Sequence, residues 1–334
     1  MRRLVWAVIL LGSLTSIWWV VAAKLWSQSL SHWFDHQRNR GWLAEYTSLD
    51  TTGFPTRHVT RIAAPALADP GTGAAWQAEA LTLDSPAIWP GDLRVHFADG
   101  PQRLAWLDRR AALQTTDMVA QLSLRPGTSL SLRALGLTSG PWALSDDQGV
   151  AAMSAQGLTL AMNATDIPER YSLELAAPGF LPGDTLRRIV RAAPALPQRF
   201  NRLEVAADVT FDTPWDRRAL EHRRPQPRIL HLRRADAWWG NLRVSAAGKL
   251  DIDAAGIPTG TLELRAENWR DMLRMAEQSG ALPASAAGSA ERLLSFLAGL
   301  GGAPDILEAQ INFRGGVMAL GPIPIAPAPR LILR

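Results

Sequence analysis

The feature that most constrains this chain is an uncharged apolar stretch close to its N-terminus. Residues 4–23 read LVWAVILLGSLTSIWWVVAA, and Arg2 and Arg3 stand immediately before them. At about 1.5 Å per residue, a helix of this length spans roughly 30 Å, which matches the hydrocarbon core of a bilayer. We therefore predict an N-terminal transmembrane helix, which makes a membrane the first expected partner of the chain.

The residues around this stretch also indicate on which side of the membrane the chain lies. Positive residues before a span favour an N-terminus that stays in the cytoplasm, so the rest of the chain is exported. A cleaved signal peptide is the alternative, because Val21, Ala22 and Ala23 form a passable small-residue cleavage site. The length of the apolar run and the pair Trp18-Trp19, which is typical of an interfacial anchor, favour an uncleaved helix.

Composition excludes several classes of function. The chain has no cysteine, so disulfides and thiol chemistry are excluded. Its net charge is +4, and its arginines are scattered along the sequence rather than clustered. A nucleic-acid-binding protein needs a basic stripe within a recognisable motif, so we expect no nucleic-acid partner.

Short alternating segments dominate the chain after the anchor. Leu93, Val95 and Phe97 repeat every second residue, and Pro90-Gly91 and Pro126-Gly127 mark turns between such segments. A period of two is typical of strands with one buried face, and closely spaced strands favour antiparallel meanders. We predict a mainly β fold with a few helices (α+β). Its centre is a large curved antiparallel meandering sheet or half-barrel, joined to the N-terminal transmembrane helix.

The same patterns divide the chain into four segments. Residues 1–24 form the transmembrane anchor, and residues 25–40 form an amphipathic juxtamembrane helix. Residues 41–180 form a first β-rich half, and residues 181–334 form a second β-rich half with covering helices.

Further local predictions concern one hairpin and three helices. The first hairpin is expected to turn at Asp50–Gly53. Helices are predicted over residues 184–193, 269–279 and 289–300, because apolar residues recur there at helical spacing. Asn268 and Ser289 are the expected N-caps of the last two helices, since both residue types favour that position.

The candidate ligand-binding residues are alternating apolar positions in residues 238–269, where glycines separate three short strands. Side chains at every second position face the same side of a strand, so they can line a groove. An ordinary sheet core is the alternative explanation for the same pattern. The candidate residues are Leu242, Leu250, Ile252, Leu262 and Leu264.

The sequence offers no recognisable reactive centre. Nucleophilic catalysis needs a nucleophile, a base and an orienting group, and the chain has no Gly-x-Ser-x-Gly motif or phosphate-binding glycine loop. His32 and His36 have a spacing that can bind zinc, but no further ligand stands nearby, which favours solvent-facing histidines. Asp251 and Asp253 are interpreted as exposed turn acids. We predict that the protein is not an enzyme and requires no cofactor and no metal.

Several glycine and proline motifs resemble those of a known family. They are Gly53-Phe54-Pro55, Trp239-Gly240-x-Leu242, Gly248-x-Leu250-x-Ile252-Asp253, Gly256-x-Pro258-x-Gly260-x-Leu262 and Leu320-Gly321-Pro322-Ile323-Pro324. In this order after an N-terminal anchor, they resemble the uncharacterised proteobacterial family called domain of unknown function 2125. The architecture also bears a looser likeness to the AsmA-like envelope proteins, which are associated with lipid movement or outer-membrane assembly. With the anchor, the resemblance implies a single-pass protein of the bacterial inner membrane whose bulk lies in the periplasm.

These observations support one leading hypothesis and two alternatives. The leading hypothesis is a membrane-anchored protein that binds a lipid or another apolar ligand in a groove of its sheet, in envelope lipid transport or assembly. The first alternative is a structural or scaffolding subunit that binds another envelope protein. The second is a hydrolase with an unrecognised site.

Overall fold

The fold is mainly β, as the alternating pattern predicts. The structure is a computed structural model that describes residues 1–183, 197, 199–221, 223–280, 282–300, 303–321 and 323–333. Strands make up 49% of the residues and helices 21%. Within the described residues, the strands form large antiparallel sheets that do not close into a barrel. The predicted fold class is confirmed.

The chain divides into two compact units. The first unit comprises Met1–Pro126 and Leu137–Ala151, and the second comprises Gly127–Gly136 and Ala152–Arg334. The predicted division into four segments stays a prediction. The two units are described separately below.

One continuous helix, α1, spans Arg2–Asn39. An 18-residue window of this helix has a mean hydropathy of 2.1 and contains no buried residue, so it is long and apolar enough to cross a membrane. The C-terminal half of α1 instead buries one side against the strands of the first unit, to which α1 belongs. Its buried and half-buried positions recur every three or four residues, as expected for one helix face: Trp19, Ala23, Trp26, Leu30, Phe34 and Gln37.

The strands of the first unit form two antiparallel series. One series runs in the order β1, β4, β5, β8, β9, β12, and the other in the order β2, β3, β6, β7, β10. The strands are β1 (Leu43–Glu45), β2 (Ser48–Thr52), β3 (Arg57–Ala63), β4 (Ala66–Asp69), β5 (Ala74–Gln77), β6 (Ala80–Pro86), β7 (Asp92–Phe97), β8 (Gln102–Trp106), β9 (Arg109–Thr115), β10 (Val119–Leu124) and β12 (Trp142–Asp146). Two more strands, β11 (Leu132–Ser139) and β13 (Ala151–Ala155), contain residues of both units.

The core of the first unit joins α1 to its strands. Phe34 of α1 is 4% exposed and belongs to one cluster with Ala44, Ile62 and Leu83. The first hairpin does not turn at Asp50–Gly53, and that prediction is wrong. The polar residues Asp50, Thr51 and Thr52 continue β2, because Thr51 Oγ1 lies 2.8 Å from Thr60 Oγ1 across the strand pair. The turn is made instead by residues 53–56.

The second unit contains a long run of antiparallel neighbours in sequence order, from β14 to β22. Consecutive strands pair because short turns connect most of them. The strands are β14 (Leu158–Ala164), β15 (Arg170–Pro178), β16 (Arg202–Phe211), β17 (Pro227–Trp239), β18 (Leu242–Ile252), β19 (Pro258–Glu267), β20 (Ile306–Arg314), β21 (Val317–Leu320) and β22 (Ile323–Pro327).

Three helices of the second unit are described: α2 (Arg218–Glu221), α3 (Trp269–Gln278) and α4 (Ala284–Leu300). The predicted helices over 269–279 and 289–300 are confirmed, but the second begins earlier. Ser289 therefore lies inside α4, and its predicted role as N-cap is wrong. Asn268 stands at the start of α3 but makes no side-chain cap; its amide donates to Asn241 O at 2.6 Å instead. The helix predicted over 184–193 lies outside the described residues.

Candidate functional site

One face of the second unit carries two rows of apolar side chains that cross seven strands. Each residue pairs directly with the next across β14 to β20. The first row is Leu160, Leu175, Val205, Ala235, Ala246, Leu264 and Ala309. The second row is Met162, Leu173, Ala207, Leu232, Gly248, Leu262 and Ile311. We call these two rows together the apolar strip.

The dimensions of the apolar strip follow from sheet geometry. Neighbouring strands lie about 4.8 Å apart, so six gaps give a length of roughly 29 Å across the sheet. All residues of the first row are half-buried, and the second row is half-buried except for Met162 and Ala207, which are buried. The strip therefore keeps part of its apolar surface accessible.

The two ends of this sheet face are closed by packing. At one end, helix α3 covers the sheet, and Met275 forms a buried cluster with Trp239 and Leu242. At the other end, Tyr171 is 1% exposed, and its ring packs edge-on against Phe211 at 5.9 Å. The half-buried strip thus lies between two ordinary pieces of core.

Helix α4 borders the apolar strip. Leu294 and Leu297 pack against the cluster of Ala266, Trp269, Ala298 and Leu307, with Ala309 of the strip at its edge. A concave volume of about 820 Å³ lies here. Leu264, Ala309 and Leu297 are among its lining residues, but most of the others, such as Arg243 and Arg265, stand at the alternate, charged positions of their strands.

The alternate positions of the same strands carry charges that pair across strands. Arg234 lies 3.3 Å from Glu204 and 3.5 Å from Asp236, and Arg265 lies 2.5 Å from Glu308. The two arginines of these pairs are partly accessible, at 58% and 43%, whereas Asp236 is buried at 4%. The strands are therefore apolar at one set of alternate positions and charged at the other.

The structure divides the five residues predicted from sequence between the strip and the core. Leu262 and Leu264 belong to the apolar strip and are half-buried. Leu242, Leu250 and Ile252 are 3%, 3% and 5% exposed and lie at the two packed ends. Contact of any of the five with a ligand stays a prediction.

Sequence reasoning missed the members of the strip on the earlier strands. Leu175, Val205 and Ala235 join Leu264 through cross-strand pairs whose partners are up to thirty residues apart in sequence. Period-two alternation identifies which residues of one strand share a face. It does not give the register between strands, so it cannot align one row with the next.

A comparison with protein families identifies the chain. The family described as uncharacterized protein conserved in bacteria (DUF2125) matches residues 19–329. The chain belongs to this family. The match begins at Trp19, four residues before the apolar stretch ends, and it includes every strand of the apolar strip. A search of curated proteins finds no match for this DUF2125 member.

The titratable groups of this DUF2125 member are dispersed. Among the described residues, no three histidine or acidic side chains come together as a possible metal site. His32 and His36 are exposed on α1, and Asp251 is exposed and pairs with Lys249 at 3.8 Å. Asp253 Oδ1 accepts the backbone N–H groups of Ala255 and Ile257, which makes it a turn residue.

Unlike the exposed histidines and aspartates just described, His58 in the first unit is buried. Its side chain is 4% exposed, and its Nε2 has no hydrogen-bond partner among the described residues. Burial lowers the pKa of His58, because desolvation disfavours the charged imidazolium. The ring of Trp19 packs edge-on against it at 5.5 Å, so His58 lies where α1 meets the first unit.

Proposed function

We propose that this protein is a membrane-anchored binding protein that holds a lipid acyl chain along the apolar strip. The observation that carries the proposal is the strip itself: fourteen aligned apolar or glycine positions that stay half-buried over most of their length. A contiguous apolar surface that keeps part of its area accessible is typical of a site that binds a membrane or an apolar ligand.

The dimensions of the strip support an acyl chain as ligand. A bilayer core of about 30 Å holds two leaflets, so one acyl chain extends over roughly 15 Å. The strip, at roughly 29 Å, is long enough for a chain of that length.

The position of the protein in the cell is part of the proposal. Arg2 and Arg3 precede the apolar window of α1, which favours a cytoplasmic N-terminus and an exported body. The protein is then a single-pass protein of the inner membrane with the strip in the periplasm, where it serves envelope lipid transport or assembly without catalysis. The resemblance to AsmA-like envelope proteins stays a prediction.

The test is site-specific photocrosslinking in membranes. A benzophenone amino acid replaces Leu264 in one variant and the neighbouring Glu263 in a matched control. We expect illumination to attach lipid at position 264 and not at position 263, because the two residues belong to opposite faces of β19. Lipid adducts that are absent at 264, or equal at both positions, would refute the proposal.

One observation favours a scaffolding function as the second candidate. Where β8 meets the turn to β9, Trp106 is 68% exposed and Leu107 is 74% exposed. Arg109 and Arg110 follow them in sequence. Exposed aromatic and arginine side chains are enriched in protein interfaces. Protein adducts at position 264, or one dominant protein partner captured at Trp106 without lipid, would favour this candidate.

A further inference from the structure

The first contact between α1 and the strands of the first unit lies within the apolar stretch of the helix. Trp19 Nε1 donates a hydrogen bond to Arg57 O at 2.9 Å, and its ring packs edge-on against Phe54 at 5.5 Å. Trp19 precedes Ala23, the last residue of the apolar stretch, by four residues. In a helix that distance is about 6 Å, so the turn of residues 53–56 lies level with the end of the span.

A second loop stands at the same end of the first unit. Arg57 pairs with Pro86 across β3 and β6, and Ala87 N donates to Thr56 O at 2.9 Å. The β6–β7 loop, residues 87–91, therefore lies beside the β2–β3 turn. The β2–β3 turn contacts the helix at Trp19, and the β6–β7 loop lies next to that turn.

These two loops present apolar side chains to the outside. Phe54 is 54% exposed and Ile88 is 87% exposed, and Trp18 on the adjacent helix turn is 47% exposed. Neither loop contains a charged residue. The charged residues that directly flank the loops are both partnered: Arg57 pairs with Asp84 at 2.6 Å, and Asp92 accepts a hydrogen bond from Ser123. Moving this end of the molecule out of water therefore carries a small desolvation cost.

The part of α1 that precedes Trp19 is too short to cross the hydrocarbon core by itself. From Leu4 to Trp18 the helix covers roughly 22 Å, which is shorter than the hydrocarbon core of about 30 Å. The bilayer must therefore reach past Trp18 towards the loops. Aromatic residues such as Trp18 and Trp19 are enriched at the membrane interface, which places that boundary at the loops.

We propose that Phe54 and Ile88 form a second membrane contact, which we call the interfacial tip. The tip enters the head-group region of the bilayer that α1 crosses, and its side chains reach the upper acyl chains. An apolar surface held at an interface typically enters by about 5–10 Å, which agrees with the depth of Trp19. The first unit then rests on the membrane instead of standing away from it on a flexible tether.

Quenching of a fluorescent probe by labelled lipid tests this proposal on the full chain. Because the chain has no cysteine, I88C carries one environment-sensitive dye and needs no other change. L107C is the matched control, since Leu107 is an apolar turn residue that is 74% exposed. L10C, within the apolar stretch, reports whether α1 is in the bilayer.

The three variants are reconstituted into phosphatidylcholine–phosphatidylglycerol vesicles whose acyl chains carry a nitroxide near the head group. We expect I88C to be quenched severalfold more than L107C and to show a blue-shifted emission, and we expect L10C to be shielded from aqueous quencher. Equal quenching of I88C and L107C would overturn the proposal. Full access of aqueous quencher to L10C would also overturn it, because the tip depends on the span.

Discussion

Gly248 lies opposite Leu262 on the neighbouring strand, and a Cβ at Gly248 would stand 2.9 Å from the Cα of Leu262 and 2.3 Å from Thr261 O. The backbone of Gly248 has φ +150°, a conformation that other residues rarely adopt. The close approach of β18 and β19 in the second row of the apolar strip thus depends on a missing side chain.

Gly248→Ala should therefore destabilise the second unit. Gly127→Ala is the control, because Gly127 has φ +137° but nothing within 4 Å of its Cβ position, so it shares the backbone strain without the clash. We expect the free energy of unfolding of G248A to fall by about 1–3 kcal/mol more than that of G127A. Denaturant unfolding of the full chain in detergent measures this difference, and equal losses would contradict the prediction.

Leu264→Gln should weaken lipid binding without unfolding the protein. The change places an amide among the apolar side chains of the strip, where a polar group without a partner costs about 1–3 kcal/mol, or about 5- to 150-fold in affinity. Glu263→Gln creates the same residue at an exposed neighbouring position. We expect mass spectrometry to find less phospholipid with purified L264Q and an unchanged amount with E263Q.

Trp19→Leu should release the first hairpin from α1. The variant loses the hydrogen bond to Arg57 O and the edge contacts with Phe54 and His58. Hydrogen exchange of the amides in residues 53–58 should become faster by about tenfold, since a hydrogen bond and a ring contact together contribute about 1–2 kcal/mol. Trp18→Leu, at the exposed neighbouring position, should leave the same amides unchanged.

His58 should make the first unit less stable in mild acid. Burial lowers its pKa, so between that value and the ordinary histidine pKa of about 6.5 the unfolded chain binds more protons than the folded chain. Stability is full above pH 6.5 or so and falls as the pH drops through this window. The thermal midpoint should therefore fall between about pH 7.5 and about pH 5.5.

The histidine that causes this loss can be identified by substitution. His58→Phe, which binds no proton, should reduce the loss. His32→Phe on the exposed face of α1 should not. An undiminished pH dependence in H58F would assign the effect to other groups.

Asp212 should contribute stability that strong acid removes. Burial raises its pKa, but hydrogen bonds from Gln226 N and Arg223, both 2.8 Å long, and the charge of Arg228 outweigh burial and lower the pKa. The contribution is present above the ordinary aspartate value and is lost as pH falls through the lowered pKa.

Asp212→Asn should therefore reduce the free energy of unfolding at neutral pH by roughly 1 kcal/mol, since its arginine partners are partly exposed. The reduction should be smaller in acid, where the native carboxyl is also neutral. Asp251→Asn, whose side chain is 69% exposed, is the control and should change stability little. A D212N loss that is the same at all pH values would contradict the ionic explanation.

The sequence by itself determined the class of fold and the nature of its N-terminus. An uncharged stretch such as residues 4–23 permits few structures, and alternating residues such as Leu93, Val95 and Phe97 favour strands because period two matches the pleat. Apolar residues at helical spacing likewise predicted the helices over 269–279 and 289–300, which are found over 269–278 and 284–300, but the side-chain caps predicted for them are absent. Asn268 and Ser289 have side chains that suit a cap, but neighbouring backbone decides whether they are used.

Only the tertiary structure decided which apolar residues share a surface. Leu264 and Val205 stand fifty-nine positions apart in sequence, and they enter one row because the three strand pairings between them have compatible registers. A shift of one residue in any pairing would turn part of the row to the charged face, and local pattern does not fix that register. The placement of Phe54 and Ile88 beside Trp19 likewise depends on long-range strand pairing and helix packing, which are set by the energy of the whole fold.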